Sequence, residues 1–342
     1  MKYDFLPLSD VITKKDVDEY KALYKLPSSL FSVITAISLF VIFLVVFGLV
    51  YKGSVESVIF VGLIAALTIY FTSKSLAKAI KLKNYRVKLW KFAKKNNINY
   101  QSEDHNVTYE GNIFNRGENR YSYDILGFAS SENRPVEIAN YQYDIRTESR
   151  DSDGGKTTST TTYRQGYALI SLDHKLPHII LDSKKNGAGS IGNGLLGISQ
   201  SQRLELEGDF NDYFDLYVPK GYERDALYIF TPDVMAVFVD ETCNFDAEII
   251  DDKLFIYSRA PLNLIDQSTL EKLFKLIDLV SKKTIDQAEN YIDERVGSQQ
   301  NDVIAAEGRR LKIGVPKPII VIIIIVIALN FLSFILALLP KR

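Results

Sequence analysis

The sequence predicts an α+β cytoplasmic domain, antiparallel and strand-rich with a few helices, attached to transmembrane α-helices. Three observations lead to this fold class. They are three long uncharged apolar runs, a region between them rich in β-branched and aromatic residues, and a block of positive charge after the second run. With 342 residues, the chain is long enough for one large domain or two of ordinary size.

The composition argues against a protein that coats nucleic acid and against sites that need several cysteines. Lysine and arginine total 41 and aspartate and glutamate total 42, so the chain lacks the excess positive charge of a protein that coats nucleic acid. Cys243 is the single cysteine, which excludes an intramolecular disulfide and a thiolate zinc site. A reducing compartment fits this cysteine usage.

Three apolar runs predict membrane spans. They are residues 30–51, 57–73 and 319–339, and none contains a charged residue. A bilayer core about 30 Å thick needs roughly 20 apolar residues as a helix. The first and third runs reach that length, and the second reaches it when Val55 and Glu56 are included. We therefore expect a transmembrane helical hairpin over 29–73 and a C-terminal transmembrane helix over 318–340, with buried core helices as the alternative.

Positive charge sets the predicted orientation. Nine of the 22 residues in 74–95 are Lys or Arg and none is acidic, whereas the hairpin tip carries only Lys52. Positively charged flanks stay on the cytoplasmic side of a membrane. The sequence therefore predicts a multi-pass protein of the cell membrane, with a cytoplasmic N-terminal segment (1–28) and residues 74–317 in the cytoplasm.

Residues 74–95 are also predicted to form a basic amphipathic juxtamembrane helix. Leu82, Tyr85, Leu89 and Phe92 recur at helical spacing and form one apolar face. That face would pack on the soluble domain or lie among lipid headgroups. Because the stretch directly follows an apolar run, lipid rather than nucleic acid is its expected anionic contact. The residues expected to contact the membrane surface are Lys74, Lys78, Lys81, Lys83, Arg86, Lys88, Trp90 and Lys91.

Residues 96–265 are predicted to form the α+β domain. Three segments, 120–128, 136–145 and 159–173, combine β-branched and aromatic residues with partial alternation, which favours strands. The polar sequence between the last two contains an Asp-Gly-Gly turn signal. These two segments therefore predict a long β-hairpin.

The next part of the domain mixes strand and helix signals. The aromatic residues of 210–218 favour a strand with a solvated acidic edge. Residues 230–241 favour a helix, with Thr231 as its N-cap and Pro232 at the first helical position.

The end of the soluble region is predicted to contain a hairpin and a long helix. Residues 247–258 favour a β-hairpin with a two-residue Asp251-Asp252 turn. Residues 266–297 favour an amphipathic helix, and 298–317 are a polar, then basic linker. The apolar stripe of that helix consists of Leu270, Leu273, Ile277, Val280, Ile285, Ala288 and Ile292.

Three segments carry a family resemblance. They read GNIFNRGENRYSYDILGF (111–128), DHKLPHIILDS (173–183) and LELEGDFNDYFDLYVPKGYERDALYIFTPDVMAVFVDE (204–241), the last followed by DAEIIDDKLFIYS (246–258). Over roughly residues 90–265 the chain resembles a bacterial family catalogued only as a domain of unknown function. Members of that family pair membrane segments with a soluble α+β domain. The resemblance implies this layout, but it supplies no activity and no catalytic residues.

Two histidines are candidate metal ligands. His174 and His178 lie four residues apart, a spacing that can place two zinc ligands on one face of a helix. However, Pro177 lies between them and strand-like residues follow. We therefore expect the two imidazoles to point in different directions at an exposed strand end, and we predict no metal and no cofactor.

Four other residues could suggest chemistry. Asp209, Asp212 and Asp215 recur every third residue, but the glycine turn and distal glutamate of a calcium loop are missing. Cys243 has acidic neighbours, which disfavour the thiolate that a nucleophile requires. We expect these residues to be structural.

Two further segments contain residues that binding elements also use. The glycine-rich segment 186–201 lacks the glycine spacing of a nucleotide-binding loop and is expected to be a flexible connector. Asn330 and Ser333 lie about one helical turn apart in the third apolar run. They could hydrogen-bond between the helices of an oligomer, or they could be tolerated polar residues.

The predicted function is a non-enzymatic binding or scaffold module at the membrane surface. Its expected partners are the lipid bilayer and a protein or a second copy of the chain, and nucleic acid is not an expected partner. The alternative is a membrane-surface enzyme that acts on lipid or peptide through a site without a recognisable motif.

Overall fold

The computed structural model describes most of the chain outside the apolar runs. The described residues are 3–24, 36–37, 39–40, 43–44, 47, 55–150, 155–186, 198–206, 208–242, 244–288, 291–296, 302–313, 325 and 327. The chain divides into two compact units. Unit 1 comprises Met1–Ser102 and Leu264–Gln267, and unit 2 comprises Glu103–Asn263 and Ser268–Arg342.

The described residues form seven α-helices and seven β-strands. The helices are α1 (Leu6–Ser9), α2 (Lys14–Leu23), α3 (Val55–Lys95), α4 (Phe210–Tyr213), α5 (Glu223–Ile229), α6 (Pro232–Thr242) and α7 (Gln267–Ala288). The strands are β1 (Asn99–Asp104), β2 (Glu118–Ala129), β3 (Pro135–Arg150), β4 (Lys156–Ser183), β5 (Arg203–Leu204), β6 (Phe214–Tyr217) and β7 (Asp246–Ser258). Short 3₁₀ turns lie at Lys184–Asn186, Gln200–Gln202 and Glu294–Val296.

In unit 1, the N-terminal helices neutralise part of the basic stretch of α3. The ammonium group of Lys91 lies 3.1 Å from a carboxylate oxygen of Asp16, and that of Lys94 lies 2.8 Å from Glu19. Asp16 also closes a capping box with Thr13 at the start of α2. The acidic residues that balance this part of α3 therefore come from about 75 residues earlier in the chain.

Aromatic residues fill the space between these helices of unit 1. Tyr20 of α2 is fully buried and packs edge-on against Trp90, with ring centroids 6.0 Å apart. Phe5 stacks on the buried Phe92 at 5.5 Å. The predicted apolar face of α3 is thus covered, at its C-terminal end, by residues 3–24 of the same chain.

Unit 2 is built on an antiparallel sheet. Within it the strand order is β2-β3-β4-β6-β5, and β7 also pairs with β4. The three strands predicted at 120–128, 136–145 and 159–173 are confirmed as parts of β2, β3 and β4, and the hairpin joining the last two is confirmed. β4 is long because its first part pairs with β3 and its last part pairs with β6.

The core of unit 2 is aromatic. Phe114 is fully buried, and its ring centroid lies 4.7 Å from that of Tyr141, 5.1 Å from that of Tyr167 and 5.4 Å from that of Phe255. Two of these contacts are edge-to-face, the arrangement that the ring quadrupole favours. Several of the tyrosines bring a hydroxyl group into this core, and each such group needs a partner there.

The predicted hairpin at 247–258 is wrong, because these residues belong to one continuous strand, β7. Asp251 has a φ of 52° and lies opposite Leu176, where the register between β7 and β4 shifts. β4 carries extra residues between Ser171 and Leu176, so the left-handed residue sits at a bulge instead of a turn.

Two other predictions change in their boundaries. In 210–218, Phe210–Tyr213 form a helical turn, and only Phe214–Tyr217 pair as a strand. The long helix predicted over 266–297 ends at Ala288. Its stripe residues Leu270 and Val280 are buried, but Ile292 lies beyond the helix and is 61% exposed.

A side-chain amide holds the end of the segment that follows β7. The buried Asn140 of β3 accepts from the Leu262 amide at 2.6 Å and donates to the Leu262 carbonyl at 3.1 Å. The Leu262 side chain then lies over Gly166, where an added Cβ would be 2.3 Å from Leu262 Cγ. Only glycine leaves room for this leucine.

We therefore expect Gly166→Ala to lower the free energy of unfolding by about 1–3 kcal/mol, because it overpacks a site that Asn140 keeps from moving. Chemical denaturation measures this change, with the exposed Ser159→Ala on the same strand as a control that costs about 0.5 kcal/mol or less. Equal stability of Gly166→Ala and wild type would contradict the fixed position of Leu262.

The transmembrane part of the predicted fold class is wrong. Among the described residues, no helix combines the length and the apolar character needed to cross a membrane. The corrected fold is an antiparallel, sheet-rich α+β structure with seven described helices, and the assignment as a membrane, transmembrane and multi-pass protein is corrected with it.

The physical reason is visible in α3. Without the charged Glu56, the apolar run of this helix is 57–73, and its 17 residues span about 26 Å at a rise of 1.5 Å per residue, less than the roughly 30 Å of a bilayer core. The same helix then continues into the basic stretch. The runs 30–51 and 319–339 lie, except for isolated positions, outside the described residues. The cytoplasmic location of 74–317 stays a prediction.

Candidate functional site

The two candidate metal ligands do not come together. His178 lies within β4 and is 5% exposed, whereas the side chain of His174 is 38% exposed and has Nδ1 3.9 Å from Asp302. The prediction that both histidines are exposed is wrong for His178. Among the described residues, no group of three or more His, Cys, Asp or Glu side chains is arranged to hold a metal ion.

The surroundings of His178 define its protonation. Its Nδ1 accepts a hydrogen bond of 3.0 Å from the amide of Leu311, so Nδ1 carries no proton. Its Nε2 lies 2.8 Å from Oε1 of Glu248 and is therefore the donor. This arrangement selects the neutral imidazole with the proton on Nε2.

Glu248 is fully buried, and its second oxygen is satisfied as well. Oε2 accepts from the Tyr257 hydroxyl at 2.7 Å and from the backbone amide of Asn112 at 2.8 Å. Burial, and then the negative charge of Glu248, hold the pKa of Tyr257 well above its ordinary value, so Tyr257 remains a donor. An added Cβ at Gly111 would lie 2.4 Å from the Tyr257 hydroxyl, so glycine makes room for this contact.

A second carboxylate lies in the same core. Glu137 accepts hydrogen bonds from the hydroxyls of Tyr167 and Tyr109, and Ser122 shares a hydrogen bond of 2.8 Å with Tyr167. Burial raises the pKa of Glu137. Burial, and then the negative charge of Glu137, raise the pKa of Tyr167 well above its ordinary value. These contacts and those of Glu248 satisfy the two carboxylates and the hydroxyls of Tyr109, Tyr167 and Tyr257, which is a structural role.

A different group of polar residues reaches the surface of unit 2. Arg295 makes a two-pronged ion pair with Asp225, at 2.9 and 3.2 Å, and a third contact with Asp293 at 3.0 Å. Its guanidinium group also donates to the Gly221 carbonyl and lies 3.9 Å from the centre of the Tyr222 ring. These contacts hold an arginine in one position although its side chain is 37% exposed.

Asp293 is the buried part of this arrangement. Its carboxylate accepts from the Tyr222 hydroxyl at 2.6 Å, from the Ala305 amide at 2.9 Å, and from the Arg295 amide at 3.1 Å. Burial alone would raise the pKa of Asp293, but these hydrogen bonds outweigh it and lower that pKa. Gly308 allows the Tyr222 ring to lie here, because an added Cβ would be 2.3 Å from that ring.

The exposed side of this arrangement is a groove of about 850 Å³, which we call the Tyr228 groove. It is lined by Arg224, Asp225, Tyr228, Tyr291, Ile292, Glu294 and Arg295. Tyr228 is 44% exposed and Ile292 is 61% exposed, so two large apolar side chains lie beside the fixed arginine. In the described part of the chain, no ion pair holds Arg224, which is also exposed.

The three aspartates of 209–215 also differ in burial. Asp209 and Asp212 are exposed, whereas Asp215 is 8% exposed and lies 2.8 Å from Arg203 and 3.5 Å from Lys184. The expected solvated acidic edge is therefore wrong for Asp215, which forms ion pairs with two cations instead.

The predicted membrane-contact residues of α3 lie in three different environments. Three are exposed, three are half-buried and two are buried. The exposed residues are Lys74, Lys78 and Lys81, the half-buried ones are Lys83, Lys88 and Lys91, and the buried ones are Arg86 and Trp90. Lys88 donates to the Leu8 carbonyl at 2.9 Å, so unit 1 itself uses part of this set. The role of these residues in membrane contact stays a prediction.

Other sequence candidates lie outside the described residues. They are Cys243, Asn330, Ser333 and positions 187–197 of the glycine-rich segment.

The residues of the Tyr228 groove were not found from the sequence. Arg295 and Asp225 are 70 residues apart, and neither belongs to a recognisable motif. Ile292 was no local signal either, because it fits the stripe of the predicted helix and lies outside that helix only because α7 ends at Ala288.

Comparisons with known proteins give a limited result. No family model and no curated protein matches the chain. One solved structure with a similar arrangement is the crystal structure of the mycobacterial trehalose monomycolate transport factor A, TtfA. It has 8% sequence identity and a TM-score of 0.36, and the match covers 57% of this chain and 96% of that one. At this level, the similarity carries no inference about function.

Proposed function

We propose that unit 2 is a non-enzymatic protein-binding module and that the Tyr228 groove is its binding face. The observation that carries this proposal is the position of Arg295, an exposed arginine that three protein groups hold beside exposed apolar side chains. The function is binding of a protein segment, without chemistry on it.

Two properties of the groove support a protein partner. Tyrosine and arginine are enriched among the residues that contribute most to protein–protein binding. Because Asp225 and Asp293 already order Arg295, a partner that contacts it loses little side-chain entropy on binding.

The charges of the groove define the partner further. Asp225 is already paired with Arg295, which leaves Arg224 and Glu294 as exposed charges of opposite sign in the groove. Tyr228 and Ile292 offer apolar area for one side chain of the partner. The segment that fits has an apolar side chain with an acidic residue placed to reach Arg224.

The alternative of an enzyme would need a reactive acid or base. His178 is the most enzyme-like group in unit 2, but both of its ring nitrogens are hydrogen-bonded inside the core. His178 therefore cannot transfer a proton to a substrate, and this favours the binding function over the enzyme.

A displayed library of random peptides tests the proposal on the full chain. We expect selected peptides to combine an apolar residue with an acidic residue. We also expect Tyr228→Ala and Arg224→Glu each to weaken their binding by about tenfold or more. Isothermal titration with synthetic peptides measures this change.

A matched control separates the groove from general charge effects. Lys282→Glu changes another exposed cation, on α7, and should leave peptide affinity unchanged. Selected peptides that bind the Tyr228→Ala variant as tightly as wild type would overturn the proposal. The proposal would also be overturned if the groove bound vesicles that contain anionic lipid and did not bind peptides.

A further inference from the structure

A two-stranded ribbon extends from the sheet of unit 2. Pairing of β2 with β3 stops at Glu118 and Asp144, and pairing of β7 with β4 starts at Gly166 and Ser258. Beyond these points, residues 145–150 and 156–161 pair only with each other, and we call them the ribbon. In the described part of the chain, no further strand pairs with its outer edges.

The register places all charged residues of the ribbon on one face. Arg146 lies opposite Thr160, Glu148 opposite Thr158, and Arg150 opposite Lys156. Side chains alternate between the faces of a strand. The other face therefore carries hydroxyl groups and Ile145, with Thr147, Ser149, Thr157, Ser159 and Thr161.

The ribbon has two edges that could accept another strand. A two-stranded ribbon is at most marginally stable alone in water, and an unpaired strand edge is a template for pairing. The two edges differ in charge. Along 156–165, the β4 edge carries only Lys156 and Arg164 as charged residues, and both are positive.

The β3 edge carries a self-complementary charge pattern. In the sequence Arg146-Thr147-Glu148, opposite charges lie at equal distances on either side of Thr147. In an antiparallel pair related by a two-fold axis through Thr147, Arg146 of each copy lies opposite Glu148 of the other. Opposite charges placed directly across two strands stabilise the pair, and two-fold symmetry makes the contact twice.

We propose that two copies of this chain associate through the outer edge of β3, antiparallel and centred on Thr147. The contact joins the two sheets and covers residues 145–149 of each copy. The β4 edge offers no equivalent contact with itself, because its two charged residues are both positive and no negative charge is present to pair with them. The proposal is independent of the Tyr228 groove, which lies on other elements.

Charge reversal on the full chain tests the proposal. Arg146→Glu places two carboxylates opposite each other at both symmetric positions, and Glu148→Arg places two guanidinium groups there. Each single variant should weaken self-association by about tenfold or more. Energy transfer between differently labelled copies measures the association across a range of concentrations.

Mixing the variants restores the complementary charges. An equimolar mixture of Arg146→Glu chains and Glu148→Arg chains should associate more tightly than either variant does alone. The double variant Arg146→Glu/Glu148→Arg should associate with itself at nearly the wild-type affinity. This pattern cannot arise from misfolding, because two misfolded variants would not recover association on mixing.

A control and two contrary outcomes complete the test. Lys156→Glu reverses a charge on the same face but on β4, and it should leave association unchanged. The proposal is overturned if the wild-type chain shows no energy transfer up to about 1 mM. It is equally overturned if the single reversals associate as strongly as wild type.

Discussion

Glu248→Ala is expected to lower the free energy of unfolding by about 3–5 kcal/mol. The substitution removes the acceptor for three buried donors at once, namely His178 Nε2, the Tyr257 hydroxyl and the backbone amide of Asn112. Each donor left without a partner in the core costs its desolvation free energy. Urea denaturation measures the loss, and the slope of the free energy of unfolding against urea concentration should be the same for the variant and wild type.

Two further variants identify the cause of this loss. The exposed Glu118→Ala should change stability by about 0.5 kcal/mol or less. The double variant His178→Ala/Glu248→Ala should be less destabilised than the sum of the single variants, because both remove the same contact. A cost for Glu248→Ala no larger than that of Glu118→Ala would contradict the buried hydrogen-bond network.

Asp293→Asn is expected to lower the free energy of unfolding by roughly 2–4 kcal/mol at neutral pH. The amide group of asparagine would bring a donor against donors from Tyr222, Ala305 and Arg295, and it would remove the negative charge that faces Arg295. The loss of order at Arg295 should also weaken peptide binding in the Tyr228 groove.

The same substitution should change how stability depends on pH. The folded-state pKa of Asp293 lies below its ordinary value of 3.8. Its contribution is therefore complete at higher pH and is lost as the pH falls below about 4, through the folded-state pKa. Asp293→Asn cannot titrate, so its stability should decline less steeply over this acidic range than that of wild type.

Thermal unfolding at a series of pH values distinguishes this effect from general acid denaturation. Asp233→Asn serves as the control, since the Asp233 side chain is 79% exposed. It should retain the acid dependence of wild type. If Asp293→Asn and wild type lose stability in parallel below pH 4, the hydrogen-bonded carboxylate of Asp293 does not have the predicted role.

The sequence was most informative where structure depends on near neighbours. Alternating β-branched and aromatic residues located β2, β3 and β4, and the Thr231-Pro232 signal located the start of α6. Helical spacing predicted the buried face of α3 at Leu89 and Phe92. In each case the pattern that specifies the element lies within the element.

The sequence was misleading where a local pattern had two physical explanations. The Asp251-Asp252 pair indicated a turn, but a left-handed residue also suits a bulge, and only the partner strand decides between them. The apolar run 57–73 indicated a span, but no described helix is long and apolar enough for one.

By itself, the sequence determined the strand-rich α+β character, the β3–β4 hairpin and the helical basic stretch. Only the tertiary structure decided what the charged residues contact. Lys91 is paired with Asp16 from 75 residues away, His178 with Glu248 from 70, and Arg295 with Asp225 from 70. Periodicity reports which face of an element is apolar, whereas these polar contacts depend on which distant segments the folded chain brings together.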